Sequence, residues 1–344
     1  MNSQLQKTPY VFYAIIIMLL SVAMSHYTFP DALDIIHYYE ASERFAIDYP
    51  NLLEYIAHEL ELHIDFIYLT LLYLCSKFGI SLNVVTVLYL GVYYISICAI
   101  MRKYEHIQIR GLILFVALLC APFCWVQSIS RNLAAIATVY LAIYQFITGR
   151  KKLGIILSIA AFFTHFSILI MLSIVLASYY MQKIKIRRRT IFFLLLTFMV
   201  LAVVANTYFL DLIKYIAELK DNHYTVYSDL EASAFITNPY LGLGDKIPLL
   251  FFFCFSIYLI LINSSRDFFF WGLLFLTILL GFSMFTSTMF VQRFMMMMPL
   301  FIACNICSVY SKRGHYRVVL YGLSIIGSLM ILWNFWAYRL NFAF

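Results

Sequence analysis

The sequence predicts an all-α fold. It reads as a polytopic membrane protein of about 10–12 transmembrane or re-entrant helices, because apolar runs of roughly 17 to 25 residues, each enough to cross a hydrocarbon core about 30 Å thick, recur from end to end. Composition agrees: 64% of the 344 residues are hydrophobic, 18% are aromatic and only 12% are charged. A soluble domain carries about 25% charged residues, so a soluble enzyme is excluded, and so is a disordered chain, which needs low hydrophobicity and high charge. Charge placement is the third observation. The net charge of +7 is dispersed in short basic clusters between apolar runs, the pattern of membrane topology, and no nucleic-acid partner is expected.

The first apolar run, Pro9 to Phe29, lacks a small-residue cleavage site and reads as a retained helix. Basic clusters stand at Arg102, Lys103 and Arg110, at Arg150 to Lys152, at Lys183, Lys185 and Arg187 to Arg189, and at Lys312, Arg313 and Arg317. The positive-inside rule places all four in the cytoplasm. Of the 17 acidic residues, nine lie between Asp31 and Asp65 and six between Asp211 and Asp245. Two external segments, 30–64 and 210–246, are therefore expected within one integral membrane domain, 1–344.

From these anchors Gly111 to Gln127 runs outward and Asn132 to Thr148 returns, which leaves Arg131 at the outer surface. Thr190 to Phe209 runs out, Ile247 to Asn263 returns, Phe268 to Phe285 runs out, Phe294 to Tyr310 returns and Val318 to Trp336 runs out again. Arg293 thereby opens the external end of a span. Between Lys152 and Lys183 there is too little chain for two full crossings, which need roughly 40 residues. A hairpin of two short helices with Thr164-His165 near its apex is expected instead. Ile64 to Phe78 and Leu82 to Met101 look like two spans, yet an external Asp65 and a cytoplasmic Arg102 require an odd number, so one is read as re-entrant with Gly79 near a turn. Leu210 to Lys220 has the apolar spacing of a helix lying on the membrane. The seven cysteines all fall in apolar runs and read as small hydrophobes, Cys304-x-x-Cys307 included.

Ionisable groups at a span are costly and are the functional candidates. Arg131, at the start of a helix, can fork onto phosphate or carboxylate oxygens, and the helix N-terminus adds exposed N–H groups. Arg293 is a second external arginine; as positions alone, both also suit side chains reaching lipid headgroups. His165 can serve as general acid or base or simply as a structural hydrogen-bonder. Among the external carboxylates, any one of Asp31, Asp34, Glu54, Glu59, Glu61 and Asp65 could deprotonate a sugar hydroxyl. No Walker-type glycine loop, H-E-x-x-H or G-x-S-x-G occurs, so ATP-driven work and zinc proteolysis are not expected and no cofactor is assigned.

Ser130-Arg131-Asn132-Leu133-Ala134, the basic turn Gly149 to Lys152 and the later Phe163-Thr164-His165-Phe166-Ser167 together resemble the EpsG-like branch of the Wzy-type bacterial polysaccharide polymerases. That family's pattern is Arg-Gln-x-x-Ala at a helix start, a basic turn and a Phe-His-x-Ser apex. Asp65-Phe66 stands where a Glu-Pro-Gly-Phe is common, and Arg293-Phe294 resembles a late arginine of the family. Asn132 replaces the usual Gln, and Pro-Gly is missing before Tyr68. The resemblance implies a GT-C-like membrane glycosyltransferase in the bacterial cytoplasmic (inner) membrane. It would need no nucleotide sugar and would join undecaprenyl-diphosphate-linked repeat units into O-antigen or capsule at the outer face, facing the periplasm or exterior. Arg131, Arg293 and Asn132 would bind substrate, with His165 and Asp65 or Asp34 catalytic. Membrane lipids and a chain-length regulator are the other partners considered. A flippase for the same lipid-linked glycan and a membrane sugar O-acetyltransferase are the alternatives.

Overall fold

The computed structural model describes residues 47–49, 51–62, 65–80, 82–103, 130–184, 186–187, 189–198, 200–201, 243–286, 288–310 and 325. Asp34, the runs Pro9 to Phe29, Gly111 to Gln127 and Val318 to Trp336, and the helix expected over Leu210 to Lys220 lie outside them, as does all but the end of the expected external segment 210–246. Every described element is helical, and no strand occurs among the described residues, as the all-α reading requires. The described helices fall into two compact units that divide at Ser173 and Ile174. Among the described residues, no helix is long and apolar enough to cross a membrane.

The first unit contains α1 (Leu52–Leu62), α2 (Phe66–Phe78), α3 (Leu82–Lys103), α4 (Ser130–Ile147), α5 (Lys151–Thr164), a three-residue 3₁₀ turn (Phe166–Ile168) and the start of α6 (Leu169–Met181). Helix α4 is its centre. Leu133, Ala134, Ala135, Ile136 and Ala137 are all fully buried, and α3, α5 and the 3₁₀ turn pack on α4. Three alanines in one stretch let neighbouring backbones come close, the usual device for packing helices where lipid offers no hydrophobic drive.

Two glycines set the turns. Gly79 (φ 63°) ends α2 and Gly149 (φ 83°) ends α4, both in the left-handed region that costs glycine nothing. At each, the next residue's N–H returns to a helix carbonyl: Ile80 to Cys75 at 2.9 Å and Arg150 to Gln145 at 2.9 Å. Helix α5 then folds back along α4, with Gly154 against the Phe146 ring.

The order of helices α2 and α3 bears on the odd-crossing requirement. Tyr68, Leu72 and Cys75 of α2 cluster with Val85 of α3 and Ala134 of α4. Further along, Tyr93 of α3 stacks on Tyr140 of α4 with ring centroids 5.1 Å apart. Both contacts advance in the same sense, so α3 and α4 run parallel. Helix α2 lies over the beginning of both. With 13 residues it is about 20 Å long, short of a full crossing. Helix α1 docks on α2 through a Tyr55–Tyr73 stack, and the Tyr73 hydroxyl donates to the carbonyl of Tyr49, just ahead of α1, at 3.2 Å.

The expected break at His165 is present. Helices α5 and α6 have 14 and 13 residues, separated by extended His165 (φ −161°, ψ 120°) and the 3₁₀ turn. Leu153, Ile155, Ile156 and Ile159 of α5, and Leu169, Ile170 and Leu176 of α6, are exposed. An apolar surface of this extent suits lipid better than water.

The second unit contains α7 (Leu243–Ile262), α8 (Phe268–Thr286), α9 (Thr288–Met297) and α10 (Pro299–Tyr310). Here one expectation is corrected. Phe294 to Tyr310 is not one continuous span, because the chain breaks at Met298 and restarts at Pro299. Proline has no N–H and a fixed φ, which suits the first position of a helix and not its interior. Arg293 accordingly lies within α9 and does not open a span. The α7–α8 connection is pinned to α10 by Asn263, whose Nδ2 donates to Asn305 Oδ1 at 2.7 Å, while Asn305 Nδ2 donates to the Phe269 and Phe301 carbonyls at 2.8 Å each. Cys75, Cys98, Cys304 and Cys307 are buried, while Cys254 is exposed.

Candidate functional site

Three chain segments meet at Asp65. It stands at the N-cap of α2, where an aspartate ordinarily accepts a hydrogen bond from the first turn of its own helix. Asp65 makes no such bond. Its carboxylate is turned to other partners: Oδ1 accepts from the Phe166 N–H at 2.9 Å, and Oδ2 lies 3.1 Å from Arg131 Nη1 and 3.0 Å from His165 Nδ1. An Asp at this position that forgoes its local cap marks a local rule set aside, as at functional sites.

Each partner is placed by a helix end. Arg131 lies in the first turn of α4. His165 terminates α5 because its extended backbone cannot continue the helix, although its own N–H still donates to the Ala161 carbonyl at 3.1 Å. Phe166 opens the following 3₁₀ turn, so its N–H has no acceptor within that helix. Asp65 supplies one from across the chain. The rings of Phe66 and Phe163, neighbours of Asp65 and His165 in sequence, pack with centroids 4.9 Å apart and hold the start of α2 against the end of α5.

The cluster is mostly withdrawn from solvent. Side-chain exposure is 8% for Asp65, 12% for His165 and 23% for Arg131. An ionised carboxylate only accepts, so Nδ1 carries a proton toward Asp65, and in the neutral imidazole Nε2 is then the lone-pair nitrogen. Arg131 has five N–H donors, and one suffices for Asp65. The arrangement thus combines an oriented base, a guanidinium suited to phosphate oxygens and a carboxylate that fixes both. Among the described residues no group of three or more His, Cys, Asp or Glu is disposed to hold a metal.

Of the sequence candidates, Arg131, His165 and Asp65 are brought together. Asn132, next to Arg131, is wholly buried, and neither its Oδ1 nor its Nδ2 has a hydrogen-bond partner. Arg293 belongs to the second unit, with its Nε buried. Sequence reading missed the Phe166 N–H, since a backbone donor leaves no mark in residue identity, and missed the Asn263–Asn305 pair.

An all-α chain with a carboxylate–imidazole–guanidinium cluster at converging helix ends is equipped for proton transfer beside a bound anion. The model of the EpsG family matches residues 10–344, nearly the whole chain, and the protein belongs to that family. EpsG is a Wzy-like polysaccharide polymerase family of membrane proteins, which implies a glycosyltransferase-like polymerase with lipid-linked glycan substrates. No curated protein and no solved structure matches the chain.

Proposed function

We propose that this chain polymerises undecaprenyl-diphosphate-linked oligosaccharide repeat units into O-antigen, capsule or exopolysaccharide at the outer face of the cytoplasmic membrane. The observation that carries the reading is the single Asp65 carboxylate holding both Arg131 and His165. In this scheme Arg131 binds the donor diphosphate. His165 Nε2 takes the proton of an acceptor sugar hydroxyl as its oxygen attacks the donor's anomeric carbon. The bond from that carbon to the diphosphate oxygen breaks, and its electron pair leaves on the diphosphate, whose growing charge the guanidinium stabilises. Asp65 keeps the imidazole oriented and stays deprotonated throughout; the role of base passes from it to His165.

Depth supports the scheme. Helix α5 rises 14 residues, about 21 Å, from the basic turn at Arg150 to His165. If that turn lies at the cytoplasmic surface, the cluster sits about 9 Å short of the far side of a roughly 30 Å core, within reach of a lipid headgroup. A GT-C-like architecture belongs to the same proposal. Arg293 is proposed as an anion contact in its own unit, to be tested alone.

The test is deletion of the gene followed by electrophoresis of surface polysaccharide. The expected result is single repeat units on the lipid anchor with loss of the ladder, restored by the wild-type gene and not by Arg131→Ala. An intact ladder lacking only acetyl groups would instead indicate the acetyltransferase, and lipid-linked units trapped on the cytoplasmic side would indicate the flippase.

A further inference from the structure

Two buried polar side chains beside the cluster have no partner in the fold. Asn132 follows Arg131 and is fully buried, with both amide atoms unpaired. Ser167 follows Phe166, and its Oγ is buried and unpaired as well. Each is one residue from a group that holds Asp65, and the turn that carries Ser167 packs on the helix that carries Asn132. An unpaired buried amide or hydroxyl is destabilising, because it has given up its hydrogen bonds to water without a replacement. Most such groups in folded proteins are paired, so two on packed elements, each next in sequence to a residue of the cluster, call for an explanation.

We infer that Asn132 and Ser167 read the hydroxyls of the acceptor sugar. The inference rests on the polymerase reading and deepens it by naming the residues that recognise the acceptor. An Asn side chain offers a donor and an acceptor in one plane, which matches a pair of neighbouring ring hydroxyls, each of which can donate and accept. Ser167 adds a third group that does both. Its place in the same turn as the proposed base assigns it to the acceptor, whose hydroxyl that base deprotonates. Both side chains are closed off in the folded chain, so the sugar reaches them as the Phe166–Ile168 turn shifts from α4. A three-residue 3₁₀ segment is the soft link for such a shift, because its hydrogen bonds are poorly aligned. A site built to hydrogen-bond a substrate hydroxyl discriminates strongly against analogues that lack it, which gives these two residues a part in repeat-unit specificity.

The experiment uses the full chain. Asn132→Leu is nearly isosteric and removes the unpaired amide; Ser167→Ala removes the hydroxyl. Each variant is purified for thermal unfolding and returned to the deletion host, and its membranes are supplied with lipid-linked single repeat units extracted from that host. The inference expects Tm equal to or above wild type, together with an acceptor KM raised roughly 10- to 100-fold. Unchanged KM and an unchanged ladder would overturn it. So would a lowered Tm, which would show the groups to be structural and satisfied by buried water. Wild-type complementation in the same host tests the polymerase reading separately: if the wild-type gene restores no ladder, that reading fails, and this inference with it.

Discussion

His165 Nδ1 lies 3.0 Å from Asp65 Oδ2 across 100 residues of sequence, and Arg131 Nη1 lies 3.1 Å from the same oxygen. One carboxylate oxygen therefore sets the position of both other members of the cluster. In the proposed scheme the aspartate is a positioning residue, and the roles of the three residues are separable by experiment.

Asp65→Asn keeps an oxygen for the Phe166 N–H but presents an NH₂ to Arg131 and to the imidazole, both of which are donors. The imidazole is then driven to the other tautomer, with its proton on Nε2 where the acceptor hydroxyl must be deprotonated. Polymerisation in membranes is expected to fall by roughly 100-fold or more, the contribution of a working general base. Stability is expected to fall by about 1–3 kcal/mol from the donors left unsatisfied. Full activity in Asp65→Asn would remove Asp65 from the mechanism.

His165→Asn distinguishes orientation from chemistry. The Asn amide stands where Nδ1 stood and can still donate to Asp65, but no lone-pair nitrogen replaces Nε2. Thermal unfolding should match wild type, while kcat drops by roughly 100-fold or more with donor KM little changed. Arg131→Lys should show the opposite split. A lysine preserves the charge but loses the planar fork, so donor KM rises roughly 10-fold or more and kcat changes less. Steady-state kinetics on lipid-linked donor at saturating acceptor separates the two, and matching profiles for the two variants would argue against distinct roles.

How much of this was legible in the sequence depends on the distance over which each feature is decided. The break at His165 was legible because the interval between two basic clusters is too short for two spans, and the short helices either side confirm it. Arg131 was legible as a basic residue away from the basic side. Asp65 was legible as one of two candidate carboxylates, but its partners were not, since nine acids share its stretch and the partners arrive 66 and 100 residues later. The packing of α2 on α5 is what brings it to Arg131 and His165. The break before Pro299 had a local signal, the proline itself, which the unbroken apolar run obscured. Asn263 and Asn305 are 42 residues apart, and as isolated polar residues in apolar runs they gave no sign of each other.

That pair supports a stability prediction for the second unit. Asn305 Nδ2 reaches two carbonyls and its Oδ1 accepts from Asn263, all in a buried setting. Asn305→Leu fills the volume but leaves the Phe269 carbonyl and the Asn263 amide without their partner. A loss of about 1–3 kcal/mol is expected, seen as a lowered Tm in detergent. An unchanged Tm would mean the amides contribute nothing net.

Two glycines let helices approach, and their tolerance of a methyl group should differ. A Cβ on Gly272 in α8 would run into the Phe301 ring of α10, and Phe301 is completely buried among its neighbours. Close-packed interiors transmit such a clash into backbone shifts costing about 1–3 kcal/mol. A Cβ on Gly154 in α5 would meet the Phe146 ring at 2.7 Å, but Phe146 is 37% exposed and can swing outward. There the helix propensity of alanine over glycine, worth about 0.8–1.0 kcal/mol, offsets part of the cost. Gly272→Ala is therefore expected to lower Tm clearly and Gly154→Ala to leave it within about 1 kcal/mol of wild type, the difference set by whether the ring has somewhere to go. Thermal unfolding of the two purified variants side by side checks this, and equal losses would show that ring exposure does not govern the outcome.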